Sequence, residues 1–259
     1  MKKVILPLWP LIVLILAFTF LSEMPVSNEN KDSGFALVEL FTSQGCSSCP
    51  AADAYLSRLI ERAELKNQRI MALSFHVSYW NRLGWKDPFS NQKFTARQQR
   101  YARVFGNNTI YTPQLIVNGD KAFESSRPNV IDKGIEIGLN TAPGFHIKVD
   151  NIKMKQDALH FTINLNAPGE GLDLNLALVE RGLTTVIRAG ENGGKTLTHD
   201  NVVRSFDSWS WNWGNSKTGK LSLPEAIDMK NASLIVYLQS PDNLEIMGAS
   251  QIDLAGLNQ

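Results

Sequence analysis

Residues 35–50 read FALVELFTSQGCSSCP: an apolar run, a short polar loop, and two cysteines two residues apart, followed by a proline. The nearly continuous apolar run from Phe35 to Phe41 is what a strand buried on both faces requires. From Pro50 to Lys66, Ala52, Leu56, Leu59, Ile60 and Ala63 recur at spacings of three and four, the signature of an amphipathic helix. Pro50 suits the first turn of that helix, where its missing N–H costs nothing. Arg69 to Val77 (RIMALSFHV) reads as a second strand, and a strand–helix–strand crossover of this length predicts a parallel pair. Cys46 and Cys49 therefore stand between a strand end and a helix N-terminus.

That setting gives the cysteines a chemical reading. Unpaired N–H groups and the helix dipole favour thiolate over thiol, and such sites lower a cysteine pKa from about 8.5 to roughly 3.5–7.5. Cys46, the more N-terminal and expected to be the more exposed, is the candidate attacking sulfur. Cys49, inside the first turn, is the candidate resolving sulfur. A structural staple closing so small a loop would remove little unfolded-state entropy. Half of a zinc site is the other reading of the spacing, but these are the chain's only two cysteines, so no second pair exists.

Working outward, residues 78–110 form an insertion rich in aromatics, among them Tyr79, Trp80 and Trp85, with a helical second half from Lys93 to Phe105. Thr112-Pro113 leads into the strand Gln114 to Val117. Asn118-Gly119 marks a tight hairpin turn, and a last helix spans roughly Arg127 to Asn140. After Thr141-Ala142-Pro143-Gly144 the pattern changes to short strands separated by turns, as in an all-β sandwich. The expected organisation is an α/β domain over 35–143, with the insertion 78–110, and a β-sandwich domain over 144–259.

At the N-terminus, Lys2 and Lys3 precede an apolar run from Val4 to Leu21, and a polar linker follows over residues 22–34. A basic start before an apolar stretch is an export signal. Residues 1–21 read equally as a cleaved signal peptide or as a retained anchor with the globular part outside the cytoplasm. Either way a periplasmic or secreted location is expected, with membrane contact only through this segment. The chain has 259 residues, 43% hydrophobic and 20% charged, and a formal net charge of +1. No global basic field exists to attract nucleic acid.

VELFTSQGCSSCPAAD (38–53), SFHVSYWNRLGWKDPFS (74–90), YTPQLIVNG (111–119) and ENGGKTLTHDNVVR (191–204) together resemble an uncharacterised family of secreted bacterial thioredoxin-like proteins. The resemblance implies a thioredoxin-like fold for residues 35–143. It also implies that Pro113 is the cis-proline that faces the cysteine pair in such folds, with Thr112 presenting backbone to a substrate peptide. Many thioredoxins carry a buried acid in the first strand that moves a proton to or from the resolving cysteine, a place that Glu39 could take; an edge-facing or salt-bridged residue is the other reading of Glu39.

The expected function is thiol–disulfide exchange through Cys46 and Cys49 with an exported protein or a small thiol. A separate redox partner would reset the pair, and no bound cofactor beyond the redox-active disulfide is needed. Tyr79, Trp80 and Trp85 would form an apolar rim for the substrate. His76, near the end of the second strand, reads as a core or hydrogen-bonded histidine or as a group stabilising a thiolate, and it offers a competing function: Cys46, Cys49 and His76 as ligands in a copper-binding or copper-delivery protein. A permanently closed disulfide is a third. Arg97, Arg100 and Arg103 read as a solvated helix face, and Trp209, Trp211 and Trp213 as packing residues.

Overall fold

The structure is a computed structural model describing residues 33–257, so the signal or anchor read over 1–21 lies outside the described residues. Among those described, no helix is long and apolar enough to cross a membrane. The fold is mixed α/β, with one large mixed sheet and additional antiparallel strands. Strand β1 (Ala36–Thr42) pairs in parallel with β2 (Ile70–His76), joined by helix α1 (Pro50–Lys66) as the apolar spacing predicts. Helix α2 (Gln92–Phe105) follows the insertion loop, its N-cap Asn91 accepting a bond from the Lys93 N–H.

Strand β3 (Gln114–Val117) runs antiparallel to β1 and turns back into β4 (Asp120–Ser125). Asn118 and Gly119 both take positive φ at that turn, 49° and 68°, as a two-residue hairpin with right-handed twist demands. Helix α3 (Pro128–Leu139) closes this half. Alternation along β1 sorts the packing. Ala36, Val38 and Leu40 face α1 and α3, while Leu37 and Phe41 face the cluster that includes Phe94, Tyr101 and Phe105 of α2.

The second half supplies β5 (Ile147–Lys155), β6 (Ala158–Leu165), β7 (Asp173–Glu180), β8 (Leu183–Val186), β9 (Thr196–His199), β10 (Val202–Ser210), β11 (Ser216–Ser222), β12 (Ala232–Gln239) and β13 (Ile246–Asp253). Here the expected division near Pro143 needs correction. The large sheet runs β13-β12-β7-β10-β2-β1-β3-β4, so the strands of the second half extend the first sheet. The seam is β10 beside β2, with Val202 opposite Ser74, the Ser74 N–H bonding Asn201 O, and Asn201 Nδ2 bonding Ala72 O.

The physical reason is edge satisfaction: the Ser74 N–H and Ala72 O on the free edge of β2 find their partners on Asn201, just before β10. One apolar cluster accordingly mixes Leu37, Phe75 and Tyr101 with Ala177, Val179 and Tyr237. A sandwich does form locally. The small sheet β11-β6-β5 packs Leu159, Phe161 and Ile163 against Leu174, Leu176, Leu234 and Val236 of the large one. Trp211 is fully buried there and Trp209 stacks on Phe161 at 6.3 Å, the packing role expected of them.

The arginine stripe of α2 is not a solvated face. Arg97 lies in the core, paired with Glu39, and Arg100 bridges to Asp173 at 3.0 Å; only Arg103 is exposed. The helix is covered on that side by the second half, which a reading that separated the two halves could not anticipate.

Candidate functional site

Cys46 and Cys49 form a disulfide with Cα atoms 5.4 Å apart, and Cys49 is the N-cap of α1, with the Asp53 N–H bonding its carbonyl at 3.0 Å. Ser47 and Ser48 are exposed, but both cysteines are wholly buried. This corrects the expectation of an exposed Cys46. The cover comes from the loop between β8 and β9. Asn192, itself fully buried, donates from Nδ2 to Gln44 O and Cys46 O at 2.9 Å each, and Lys195 Nζ bonds its Oδ1. Beside it the Ser47 N–H donates to Glu191 Oε2 at 3.0 Å. These bonds hold the Glu191 carboxyl below the usual glutamate value, the Ser47 side chain first and its N–H second. Gly190 makes the close approach possible: φ is +75°, and an added Cβ would stand 3.3 Å from Trp85 Cβ.

The insertion grips the same loop from the other side. Gln44 donates its backbone N–H to Asp87 Oδ2 at 2.9 Å, accepts from Trp85 Nε1 at 3.0 Å, and reaches Thr185 with Nε2. Trp80 packs beside Gly45 and donates from Nε1 to Thr112 Oγ1 at 2.7 Å. The Thr112–Pro113 peptide bond is cis. Because Gln114 pairs with Phe41, Pro113 lies at the sheet end from which the cysteine loop leaves. Trp80, Trp85, Thr112 and Pro113 are thus brought to the cysteine loop, all half-buried, and Tyr79 packs half-buried against the neighbouring core.

Glu39 is elsewhere. Its carboxylate accepts from Arg97 and from the Tyr101 hydroxyl, on the sheet face opposite α1. Alternation along β1 turns it away from Cys49, so its placement beside the resolving sulfur is corrected. The acid under the cysteines is Asp53, one helical turn after Cys49 and buried, with Oδ2 accepting from Thr42 Oγ1 at 3.2 Å. Its Oδ1 is 3.7 Å from His199 Nδ1, and the His199 and His76 rings meet edge to face at 4.8 Å. His76 Nδ1 bonds Asp87 Oδ2 at 2.7 Å. Burial alone would raise the Asp87 carboxyl, but His76 and the N–H groups of Gln44 and Phe89 hold it below its usual value.

His76 gives Nδ1 to Asp87, and its Nε2 has no hydrogen-bond partner among the described residues. Among the described residues no three His, Cys, Asp or Glu side chains are arranged to hold a metal ion. The ligand set Cys46, Cys49 and His76 is not assembled.

The profile of a family described as "Protein of unknown function (DUF1223)" matches residues 37–239. The chain belongs to this family. A crystal structure of an Agrobacterium tumefaciens protein, a structural-genomics target, is similar at 29% identity with a TM-score of 0.65, over 88% of this chain and 97% of that one. That overlap takes in both halves of the sheet. A domain of the outer membrane lipoprotein Omp28 from Porphyromonas gingivalis overlaps 45% of this chain and 92% of its own at 10% identity, with a TM-score of 0.25 too low to carry an argument. A search of curated proteins returned no match.

In this family member the site draws on residues that sequence reasoning did not single out: Gln44, Asp53, Asp87, Glu191, Asn192 and His199. Two signals for them existed. Asp53 is an acid four residues after Cys49 on the otherwise apolar face of α1. The segment ENGGKTLTHDNVVR stood out without a role, and it supplies Glu191, Asn192 and His199 together.

Proposed function

We propose that the protein is an exported thiol–disulfide oxidoreductase of thioredoxin type, with Cys46 and Cys49 as its reacting sulfurs. The carrying observation is a disulfide across two residues at the N-terminus of α1, one helical turn before buried Asp53. A β1–α1–β2 crossover, β3 antiparallel to β1 and Pro113 at the same sheet end support the thioredoxin-like reading of residues 35–143. Export rests on Lys2, Lys3 and the apolar run that follows them.

In the exchange, a substrate thiolate attacks Cys46 Sγ and the bond to Cys49 Sγ breaks. Cys49 leaves as a thiolate and takes a proton, and a mixed disulfide joins Cys46 to the substrate. A second substrate thiolate then attacks the substrate sulfur, releasing the oxidised substrate and the Cys46 thiolate. The reverse sequence oxidises the protein; direction follows the relative reduction potentials. Helix N–H groups and dipole stabilise the thiolates. Asp53 gives or takes the Cys49 proton, the part expected of Glu39. Trp80 and Trp85 rim the site toward an exported protein or a small thiol.

The Cys49→Ser variant, reduced and mixed with exported proteins or glutathione disulfide, is expected to accumulate mixed disulfides on Cys46, since the resolving step is gone. Its Cys46 thiol should titrate well below about 8.5. A wild-type disulfide that excess dithiothreitol cannot open in the folded protein would leave a structural staple and overturn the proposal.

Because both sulfurs are sealed, the Glu191–Asn192 loop must lift before exchange. Glu191 gives that step a pH dependence. Its folded value is depressed, so its hold on Ser47 is complete above the ordinary value of 4.5 and is lost as pH falls through the lower folded value. Reduction by a phosphine should be faster in Glu191→Gln than in wild type at neutral pH, with the two rates converging as pH falls well below 4.5. A constant ratio across that range would show that Glu191 does not hold the cover.

A further inference from the structure

Resting on the exchange reading, we propose that His199, oriented from behind by His76 and Asp87, is the internal proton source for Asp53 and through it for Cys49. Four buried polar atoms around this point have no hydrogen-bond partner among the described residues: Asp53 Oδ1, His76 Nε2, and both ring nitrogens of His199. Native interiors leave few such atoms, and a cluster of them calls for an explanation in function. Apolar packing would have cost less here, since each unsatisfied buried group carries a desolvation penalty.

Geometry links the orphaned atoms to the sulfurs. Asp53 shares the first turn of α1 with Cys49, and Asp53 Oδ1 stands 3.7 Å from His199 Nδ1, a gap that a sub-ångström shift closes to a hydrogen bond. The Asp87–His76 bond fixes the His76 tautomer, with Nδ1 bearing the proton toward the carboxylate and Nε2 left to accept. His76 meets His199 at 4.8 Å between ring centres, so the order of groups is Cys49, Asp53, His199, His76, Asp87. They come from α1, β9, β2 and the insertion, the elements that enclose the point. Among further charges, Asp200 follows His199 in the chain, and Arg204 and Glu180 pair beyond Phe89, whose ring lies against His76 and under Arg204.

Chemistry supplies the need. Breaking the disulfide puts a thiolate on Cys49, the fully buried residue that caps α1. Burial disfavours that anion. A proton shared by the His199 imidazole and the Asp53 carboxylate passes to Cys49 Sγ as the S–S bond breaks. This leaves neutral His199, ionised Asp53 and a Cys49 thiol; reoxidation returns the proton. His199 acts through Asp53 and is a positioning and relay residue. It is contributed by the second half of the chain, which explains why His199 lies in a segment distinct from the cysteine motif.

The test is the rate of disulfide reduction by dithiothreitol from pH 5 to 9, corrected for the reagent's ionisation, in wild type and His199→Gln. Wild type should slow as pH rises, and His199→Gln should be flat and at least about tenfold slower at the acidic end. Independently, the wild-type His199 imidazole, followed by NMR, should titrate at a different pH in the oxidised and reduced proteins. This readout needs no variant to fold. Identical pH profiles in the two proteins, or one His199 titration in both redox states, would overturn the relay while leaving exchange intact. A wild-type disulfide that does not open at all would instead defeat the exchange reading.

Discussion

Replacing Arg97 by Ala is expected to destabilise the protein by about 3–5 kcal/mol, the usual cost of breaking a buried ion pair from one side. Arg97 bonds both Glu39 oxygens, Gln239 Oε1 at 3.1 Å and the Tyr101 hydroxyl at 3.3 Å. Its guanidinium also lies between 5.2 and 5.6 Å from the ring centres of Phe75, Tyr101, Phe206 and Tyr237. Burial by itself would disfavour the charge, but Glu39 outweighs it and holds the guanidinium above its ordinary value. Removing Arg97 leaves the Glu39 carboxylate buried without a cation, and it unties α2 from β1 and from β12 at once. Urea unfolding measures the loss, and a change under about 0.5 kcal/mol, ordinary for surface sites, would contradict this account. Arg97→Met combined with Glu39→Leu should recover much of it, because the desolvation of both charges disappears with them. The same double variant should keep disulfide exchange, which separates Glu39 from the proton chemistry.

Asp53→Asn is expected to slow exchange with a small thiol at neutral pH by about 100-fold or more, the scale of a lost general acid–base group. The amide matches the carboxylate in shape and still accepts from Thr42 Oγ1, but it cannot carry the Cys49 proton. Stability should change by no more than about 2 kcal/mol, since the isosteric amide gives up the carboxylate's interaction with the helix dipole and its contact with His199. Stopped-flow reduction and an unfolding curve on the same sample read the two effects. Full-speed exchange in a folded Asp53→Asn protein would remove Asp53 from the mechanism.

The two variants differ in what the sequence could say about them. Arg97 looked like one of three arginines on a wet helix face, because its partners Glu39 and Gln239 are 58 and 142 residues away. Asp53 was closer to legible, standing at helical spacing from Cys49, but the first-strand acid Glu39 drew the assignment through the resemblance. Strand alternation then decided against it: a residue at an odd position of β1 faces α2, and α1 lies over the even ones.

What the sequence determined by itself is local. Apolar periodicity gave β1, α1, β2, α2 and α3 with bounds close to those observed, Asn118-Gly119 gave the β3–β4 turn, and the spacing of Cys46 and Cys49 gave the disulfide. These depend on backbone preference and near neighbours, which a single chain spells out. The strands β9, β10 and β11 were harder, being short or mixed in polarity, as in THDNVV and SKTGKLS. Tertiary structure alone decided that β10 would satisfy the free edge of β2 and merge both halves into one sheet. That merger brings Asn192 over Cys46 and His199 beside Asp53, contacts across more than 140 residues whose partners are chosen by edge pairing and burial and leave no local pattern to read.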